Sequence, residues 1–292
     1  MILANASLDL AFHDKSINSK IEKEYKNNLT NVMNSNVLLF NKDYIEQFFV
    51  GLLEGDGTIT CNLNSNKSNS IIIRIVISLN NFPENLNMLN LIRDTIGGRI
   101  LIERNNKYVT WIASNKNDLV KVLSILAKYP LLTARKQCQL DFAKNCLLKK
   151  DIKNFFINRN NKYNNKNLFL ENLAKQDKLP TYFASWLSGF IEAEGNFNLV
   201  FNEKGLLRKT SFSIGQNDEI HILNWIKLYF NSNNTILKDK PKKDGNFQYY
   251  RLSLYNSESR KLIFQHFEKN PLLGYKKISY LKFLNYHKQK LV

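Results

Sequence analysis

Residues Phe48–Ile59 read FFVGLLEGDGTI, and residues Trp186–Leu199 read WLSGFIEAEGNFNL. Each is an apolar stretch carrying a glycine, a second small residue four places on, an acid, and a closing glycine. Aligning Gly51 with Gly189 pairs Gly55 with Ala193, Asp56 with Glu194 and Gly57 with Gly195, at an offset of 138 residues (194 − 56). Small residues at i and i+4 share one face of a helix, and a face without side chains lets two helices cross at close range. Gly57 and Gly195 end each helix and release the chain into a strand. Asp56 and Glu194 then fall in the last turn, where the dipole is negative and carbonyls lack partners. That is a poor place for a lone carboxylate and a good one for a carboxylate that holds a divalent cation. One copy reads equally well as a packing helix with an exposed acid at its end. Two matched copies at domain-sized separation imply a duplicated fold with two acids together on a pseudo-twofold axis.

The rest of the composition agrees. At 292 residues, two domains are expected. The net charge of +17 points to a polyanion, most simply nucleic acid. An acidic membrane surface is the competing reading, but no apolar run is long enough to span a bilayer and no basic amphipathic anchor is evident. A hydrophobic content of 43% supports two cores. Cys61, Cys138 and Cys146 have neither zinc nor redox spacing, and His13, His221, His266 and His287 are scattered. Asn, Lys, Ile and Leu are abundant, and their AT-rich codons suit an organellar genome. The N-terminus lacks an import-signal pattern, so the expectation is a mitochondrial, organelle-encoded protein.

Residues 1–40 are expected to be an extension, with Ser19–Leu29 able to form a helix. A first repeat is expected over 41–149, a polar basic linker over 150–178 and a second repeat over 179–292. In the first repeat, Thr58–Asn64 and Ser70–Ser78 alternate as half-buried strands. Asn64–Asn69 reads as a turn. Asn85–Ile96 reads as a helix, Arg99–Glu103 with Lys107–Ser114 as a hairpin, and Asn117–Lys128 as a helix, with a final helix through Phe142. The second repeat copies this order: strands Asn196–Asn202 and Arg208–Gln216, helix Glu219–Phe230, strands Thr235–Lys240 and Phe247–Leu254, helix Ser257–Phe267. PLLTARKQ (Pro130–Gln137) and PLLGYKKI (Pro271–Ile278) recur at a nearly matching offset of 141 (271 − 130).

The paired segments VGLLEGDG and LSGFIEAEG resemble the signature helices of the LAGLIDADG homing endonucleases in their single-chain, two-repeat form. The resemblance implies an α+β fold of two pseudo-symmetric αββαββα repeats, with a saddle of antiparallel sheet over DNA and helices packed behind it. It carries the metal-binding acid onto Asp56 and Glu194, with Gly55 and Ala193 beside them in the metal set, and Mg²⁺ as the cofactor, Ca²⁺ supporting binding without cleavage. It places an active-site lysine five residues after the proline, at Lys276. In the first repeat that position is Arg135, a departure, with Lys136 next to it. It also places a glutamine at the end of the second strand, matched by Gln216 and replaced by Leu79 in the first repeat. Glu54 and Glu192 are expected to be solvated or paired with a basic neighbour.

Strand-borne side chains can read the major groove. The outward set expected for this is Asn62, Asn64, Arg74, Arg99 and Thr110, then Asn198, Lys209, Ser211, Lys238, Lys240 and Arg251. Lys116, Lys162, Lys204, Lys242 and Lys243 are candidate phosphate contacts. The function that follows is a monomeric, site-specific endonuclease making a staggered break in double-stranded DNA at a long pseudo-palindromic target. Rival readings are an intron RNA maturase, with intron RNA as partner, and a DNA-binding protein that has lost cleavage.

Overall fold

The computed structural model describes residues 41–64, 70–149, 151–239 and 247–289. The extension over 1–40, with the helix expected at Ser19–Leu29, lies outside the described residues, as do the turn at 65–69, Lys240, Lys242 and Lys243.

The first signature segment forms helix α1 (Lys42–Asp56), followed by β1 (Gly57–Leu63), β2 (Ile71–Asn80), α2 (Pro83–Ile96), β3 (Arg99–Glu103), β4 (Tyr108–Ala113), α3 (Lys116–Lys128) and α4 (Ala134–Lys149). Two short helices follow, α5 (Phe155–Asn160) and α6 (Lys166–Ala174). The second signature helix is α7 (Phe183–Glu194), then β5 (Asn196–Phe201), β6 (Leu207–Asn217), α8 (Ile220–Tyr229), β7 (Leu237–Lys238), β8 (Tyr249–Leu254), α9 (Ser257–Lys269) and α10 (Lys276–Gln289). Both sheets are antiparallel and four-stranded, ordered β1-β2-β4-β3 and β5-β6-β8-β7. This is the duplicated α+β fold.

Alternation sets the faces. Ile73, Ile75, Ile77, Val109 and Trp111 turn inward from the first sheet, and Phe197, Phe212, Ile214 and Leu252 from the second. Helices cover these faces, with α4 on β1 and α10 on β5. The helices preceding the two Pro-Leu-Leu segments start alike: Asn115 accepts from the Asp118 N–H and Asn256 from the Ser259 N–H. Such caps satisfy donors that the first helical turn leaves open.

The signature helices cross as their glycines require. A Cβ on Gly51 would lie 1.9 Å from the Trp186 carbonyl oxygen, and one on Gly189 would lie 1.9 Å from that of Phe48. Phe48 and Trp186 are themselves a repeat pair, so the contact is reciprocal. Nearer the acids, a Cβ on Gly55 would meet the Ala193 methyl at 2.3 Å.

Two expectations are corrected. The stretch 150–178 is more than a polar linker: Phe155 is 1% exposed and Leu173 2% exposed, and α6 packs on α4 and α8. A few apolar side chains suffice to dock a helix that shows no periodic stripe. The later hairpin of the second repeat is shorter than expected, with β7 only two residues long. The cores also differ. Ser188 on α7 donates to the Asn270 carbonyl (2.7 Å) and meets His266 Nε2 (3.0 Å), while Tyr229 Oη meets His266 Nδ1 (3.0 Å). Since Ser188 already donates its proton, it accepts from Nε2–H, and the Tyr229 hydroxyl donates to Nδ1. The aligned residues of the first repeat, Val50 and Ile125, are aliphatic.

Candidate active site

The crossing of α1 and α7 brings Asp56 and Glu194 to one cleft floor. Asp56 opens to solvent and Glu194 is half-buried. Protein packed around the cleft floor raises both carboxyl pKa values, and the Asp56 charge raises Glu194 further. Lys276 and Lys136 pull both acids back, and the Gln216 side chain hydrogen-bonds Glu194. Two carboxylates with raised proton affinity, side by side at a helix crossing, are an oxygen-donor set suited to a hard divalent cation. Gly55 and Ala193 stand one residue before each acid, at the helix contact. Among the described residues, no group of three or more His, Cys, Asp or Glu is placed to hold a metal. Any cation would therefore be shared between these two acids and other oxygen donors.

The cations reach the cleft in different registers. In the second repeat, Lys276 is five residues after the proline and opens α10. In the first, α4 starts at Ala134, one place earlier in its segment, so the sixth position turns toward the acids. Lys136, 1% exposed, lies there and donates to the Gly57 carbonyl. Burial and the nearby Arg135 lower its pKa to about 8, against the pull of Glu54, Glu194 and Asp56. Arg135 is exposed, so the expectation that it takes the place of Lys276 gives way to Lys136. Gln216 has no counterpart: Leu79 carries no hydrogen-bonding group.

Glu54 and Glu192 are not solvated, and that expectation is corrected. They are 5% and 7% exposed. Glu54 accepts from the backbone N–H groups of Leu132 and Thr133, both at 2.6 Å, and from Trp186 Nε1 at 3.0 Å. Glu192 accepts from the N–H groups of Gly274 (3.1 Å) and Lys276 (2.7 Å). Desolvation raises both pKa values to about 7, against these hydrogen bonds. Each glutamate ties its own Pro-Leu-Leu segment to its signature helix and so aims the lysine.

Sequence reasoning missed the groups that cross between repeats. Glu219 accepts from the N–H groups of Ala134 and Arg135, each at 3.1 Å. Asn85 accepts from the Tyr275 N–H at 3.0 Å, and Phe82 stacks on Tyr275 with ring centroids 4.2 Å apart. From the first repeat to the connecting segment, Gln139 accepts from the Ile59 N–H (3.1 Å) and donates to Tyr163 Oη (3.0 Å). The only signal was a polar residue near the start of a helix, which reads equally well as a cap.

On the outer sheet faces, Asn62, Arg74, Arg99, Lys209 and Arg251 are exposed, and Asn64 and Asn198 are half-buried. Asn198 donates to Ser213 Oγ at 3.0 Å, Arg99 to Ser114 Oγ at 3.1 Å, and Arg251 lies 3.5 Å from Asp239. Three members of the expected set do not stand free. Thr110 is 2% exposed, bonded to Glu103 (2.6 Å) and Ser78 (2.9 Å). Ser211 is 6% exposed. Both are short side chains in mid-sheet, overhung by their neighbours. Lys238 pairs with Tyr250, while Leu237 pairs with Arg251. Lys238 therefore belongs to the opposite face from Arg251. The three cysteines are buried and free, with the thiols of Cys61 and Cys146 in hydrogen-bonding contact. No described helix is long and apolar enough to cross a membrane.

Two crossed helices that end in paired acids, with a basic sheet on either side, define a two-repeat nuclease fold. The family model for LAGLIDADG endonucleases matches residues 49–146 and 187–287, and the chain belongs to that family. A protein described as the probable intron-encoded endonuclease aI3 of Debaryomyces hansenii is 31% identical, over 97% of this chain and 48% of its own length. This chain thus spans about half of that relative. The protein of the same description from Dictyostelium citrinum is 35% identical, over 83% of this chain and 95% of its own. Among solved structures, the LAGLIDADG homing endonuclease I-LtrWI bound to target DNA superposes with a TM-score of 0.63, at 21% identity, over 86% of this chain and 92% of that one. I-SmaMI bound to uncleaved DNA in the presence of calcium ions gives 0.61, at 18% identity, over 85% and 90%. At such identities the likeness concerns the fold.

Proposed function

We propose that the protein is a monomeric, site-specific DNA endonuclease that makes a staggered double-strand break, with the repeats over 41–149 and 179–292 each serving one strand. The observation that carries this reading is the pairing of Asp56 and Glu194 at the ends of crossed helices, flanked by Lys136 and Lys276. The acids would hold a divalent cation, Mg²⁺ in this reading. When bound, such a cation activates water and offsets charge on the leaving oxygen. Lys136 and Lys276 bring positive charge to the phosphate as it becomes pentavalent. Gln216 orients Glu194, and Glu54 and Glu192 hold the lysine-bearing segments in place. Asn62, Arg74, Arg99, Asn198, Lys209 and Arg251 face the DNA from the two sheets. The intron-encoded relatives and the Asn- and Lys-rich composition support an organellar, mitochondrial gene and a homing role.

The test is cleavage of a duplex containing the intronless joint. Cutting is expected with Mg²⁺ and absent in excess EDTA, while Ca²⁺ supports binding alone. Asp56→Asn and Glu194→Gln should each lower cleavage by roughly a hundredfold or more, the scale of losing a group that stabilises developing charge, with target binding retained. Binding should weaken by orders of magnitude between low and moderate salt, as phosphate neutralisation dictates. Full cutting in EDTA would remove the two-acid centre, and a flat salt response would remove DNA as the partner.

A further inference from the structure

A cavity of about 570 Å³ opens beside Glu194 and Gln216. Its wall is drawn from both repeats and, unexpectedly, from the connecting segment: Arg135 comes from the first repeat, Tyr249 from the second, and Tyr163 and Lys166 from residues 150–178. The connecting residues are fixed in place. Tyr163 Oη accepts from Gln139, whose other amide atom holds the first residue pairs of β1 through the Ile59 N–H. Lys166 Nζ lies 2.7 Å from Asp218 Oδ2 and 5.4 Å from the centre of the Phe247 ring. Asp218 is itself anchored, accepting from the Gln248 N–H at 2.8 Å. An ammonium group has three donors, and one carboxylate oxygen uses one of them.

The charges facing this cavity are unequal in freedom. Glu54 and Glu219 line it, but each spends its oxygens on backbone N–H groups of the first repeat. Arg135 and Lys166 are the cations on its wall. Gly215 makes room for the Tyr249 side chain in that wall, since a Cβ there would lie 2.0 Å from Tyr249 Oη. The cavity thus joins a catalytic acid to two cations across a gap that suits a sugar-phosphate group, and phosphate contacts from lysine and arginine set the register of DNA.

We propose that Lys166 binds a backbone phosphate beside the scissile bond of one DNA strand, so that the connecting segment is part of the active site of one strand and not of the other. The symmetry argument is simple. A group within a repeat sits at a position that the other repeat also has, even where the residue differs, as Gln216 and Leu79 do. Lys166 lies between the repeats and occurs once. Whatever it contributes reaches a single strand. This inference rests on the endonuclease reading above.

The test is strand-resolved cleavage of the target duplex, each strand carrying its own 5′ label, with Mg²⁺ present. Lys166→Ala is expected to slow one strand roughly tenfold, as loss of a positioning contact does, and to leave the other within about twofold by the same scale. Nicked product should accumulate in consequence. Lys166→Arg should restore the ratio, because it keeps the charge. Asp218→Asn separates this role from docking of the segment: Asn tolerates the left-handed backbone at that position (φ 60°) and keeps an oxygen for Gln248, but loses the ion pair. It is expected to leave the strand ratio unchanged. Equal slowing of both strands by Lys166→Ala, no slowing of either, or the same imbalance from Asp218→Asn would each overturn the proposal while the endonuclease reading stands. A wild-type protein that cuts neither strand would sink the endonuclease reading, and this assignment with it.

Discussion

The two repeats share a strand order, a pair of acids and a Pro-Leu-Leu segment, yet they fasten that segment by different means. In the first repeat Glu54 takes three donors, one of them Trp186 of the other repeat, and Glu219 takes two more. In the second, Glu192 takes two, and Asn85 adds a single bond. The result is nevertheless alike: a lysine from each segment whose charge lowers the proton affinity of both Asp56 and Glu194. The lesson is that the backbone anchors, not the identity of the residue five places after the proline, decide which cation reaches the acids. Arg135 stands in the aligned place, and the anchors present Lys136 instead.

The sharpest way to break the comparison is at the one contact where the repeats match. Gly51→Leu and Gly189→Leu should be equally severe, since each would drive a side chain into a carbonyl 1.9 Å from the first added atom. A loss above about 3 kcal/mol is expected, at the upper end for overpacking, visible as lost soluble protein or a collapsed melting temperature. Unequal effects would show that the crossing is less symmetric than its glycines suggest.

The anchors come next. Glu54→Gln places an amide group against backbone donors, and the same change at Glu192 does so against fewer. Leaving buried donors unmade costs about 1–3 kcal/mol each, so Glu54→Gln should destabilise more than Glu192→Gln in denaturant titration. Both should slow cleavage by moving a lysine. Equal stability changes would mean that Trp186 contributes nothing to the anchor.

These glutamates also show where sequence reading stops. The small-residue spacing, the acids and the strand alternation were all legible, because each depends on local periodicity. A glutamate two residues before each paired acid has no such signature. It is turned away from that acid by about 200°, two helical steps of roughly 100° each, and what it meets there is a segment some eighty residues distant. The choice between Arg135 and Lys136 stayed open for a related reason: the register depends on where α4 starts, which Glu54 and Glu219 set from outside. Phe155 and Leu173 dock the connecting segment without making a pattern, and a two-residue β7 offers no alternation by which to place Lys238.

A smaller contrast separates the cores. His266 is held neutral, its pKa lowered by burial to about 3 from 6.5, while the first repeat has Ile125. The folded state resists protonation there, so stability contributed by the neutral ring is present above pH 6.5 and is lost as pH falls toward 3. One group of this kind gives a slope of up to about 1.4 kcal/mol per pH unit. Glu54 and Glu192, raised to about 7, act in the opposite sense, since the folded state holds their protons more tightly between pH 7 and 4.5. The difference between wild type and His266→Gln isolates the histidine: the variant should lose less stability between pH 7 and 5. A parallel pair of curves would assign the acid response elsewhere.

The smallest effects belong to the sheet surface. Arg251→Ala should weaken target binding and reduce the salt dependence by about one counterion, whereas Lys238→Ala, on the other side of its strand, should do neither. Filter binding across a salt series distinguishes them.

The contact between Gly55 and Ala193 has a different kind of consequence. A methyl on Gly55 would sit 2.3 Å from the methyl already on Ala193, so the crossing has room for one methyl and not for two. Two separate copies of the second repeat, packed in the same way, would each bring an alanine and could not close. Joining unequal halves in one polypeptide lifts that restriction. Covalent continuity is therefore a licence for asymmetry at the axis itself, where a pair of identical subunits would be confined to residues that fit against their own image.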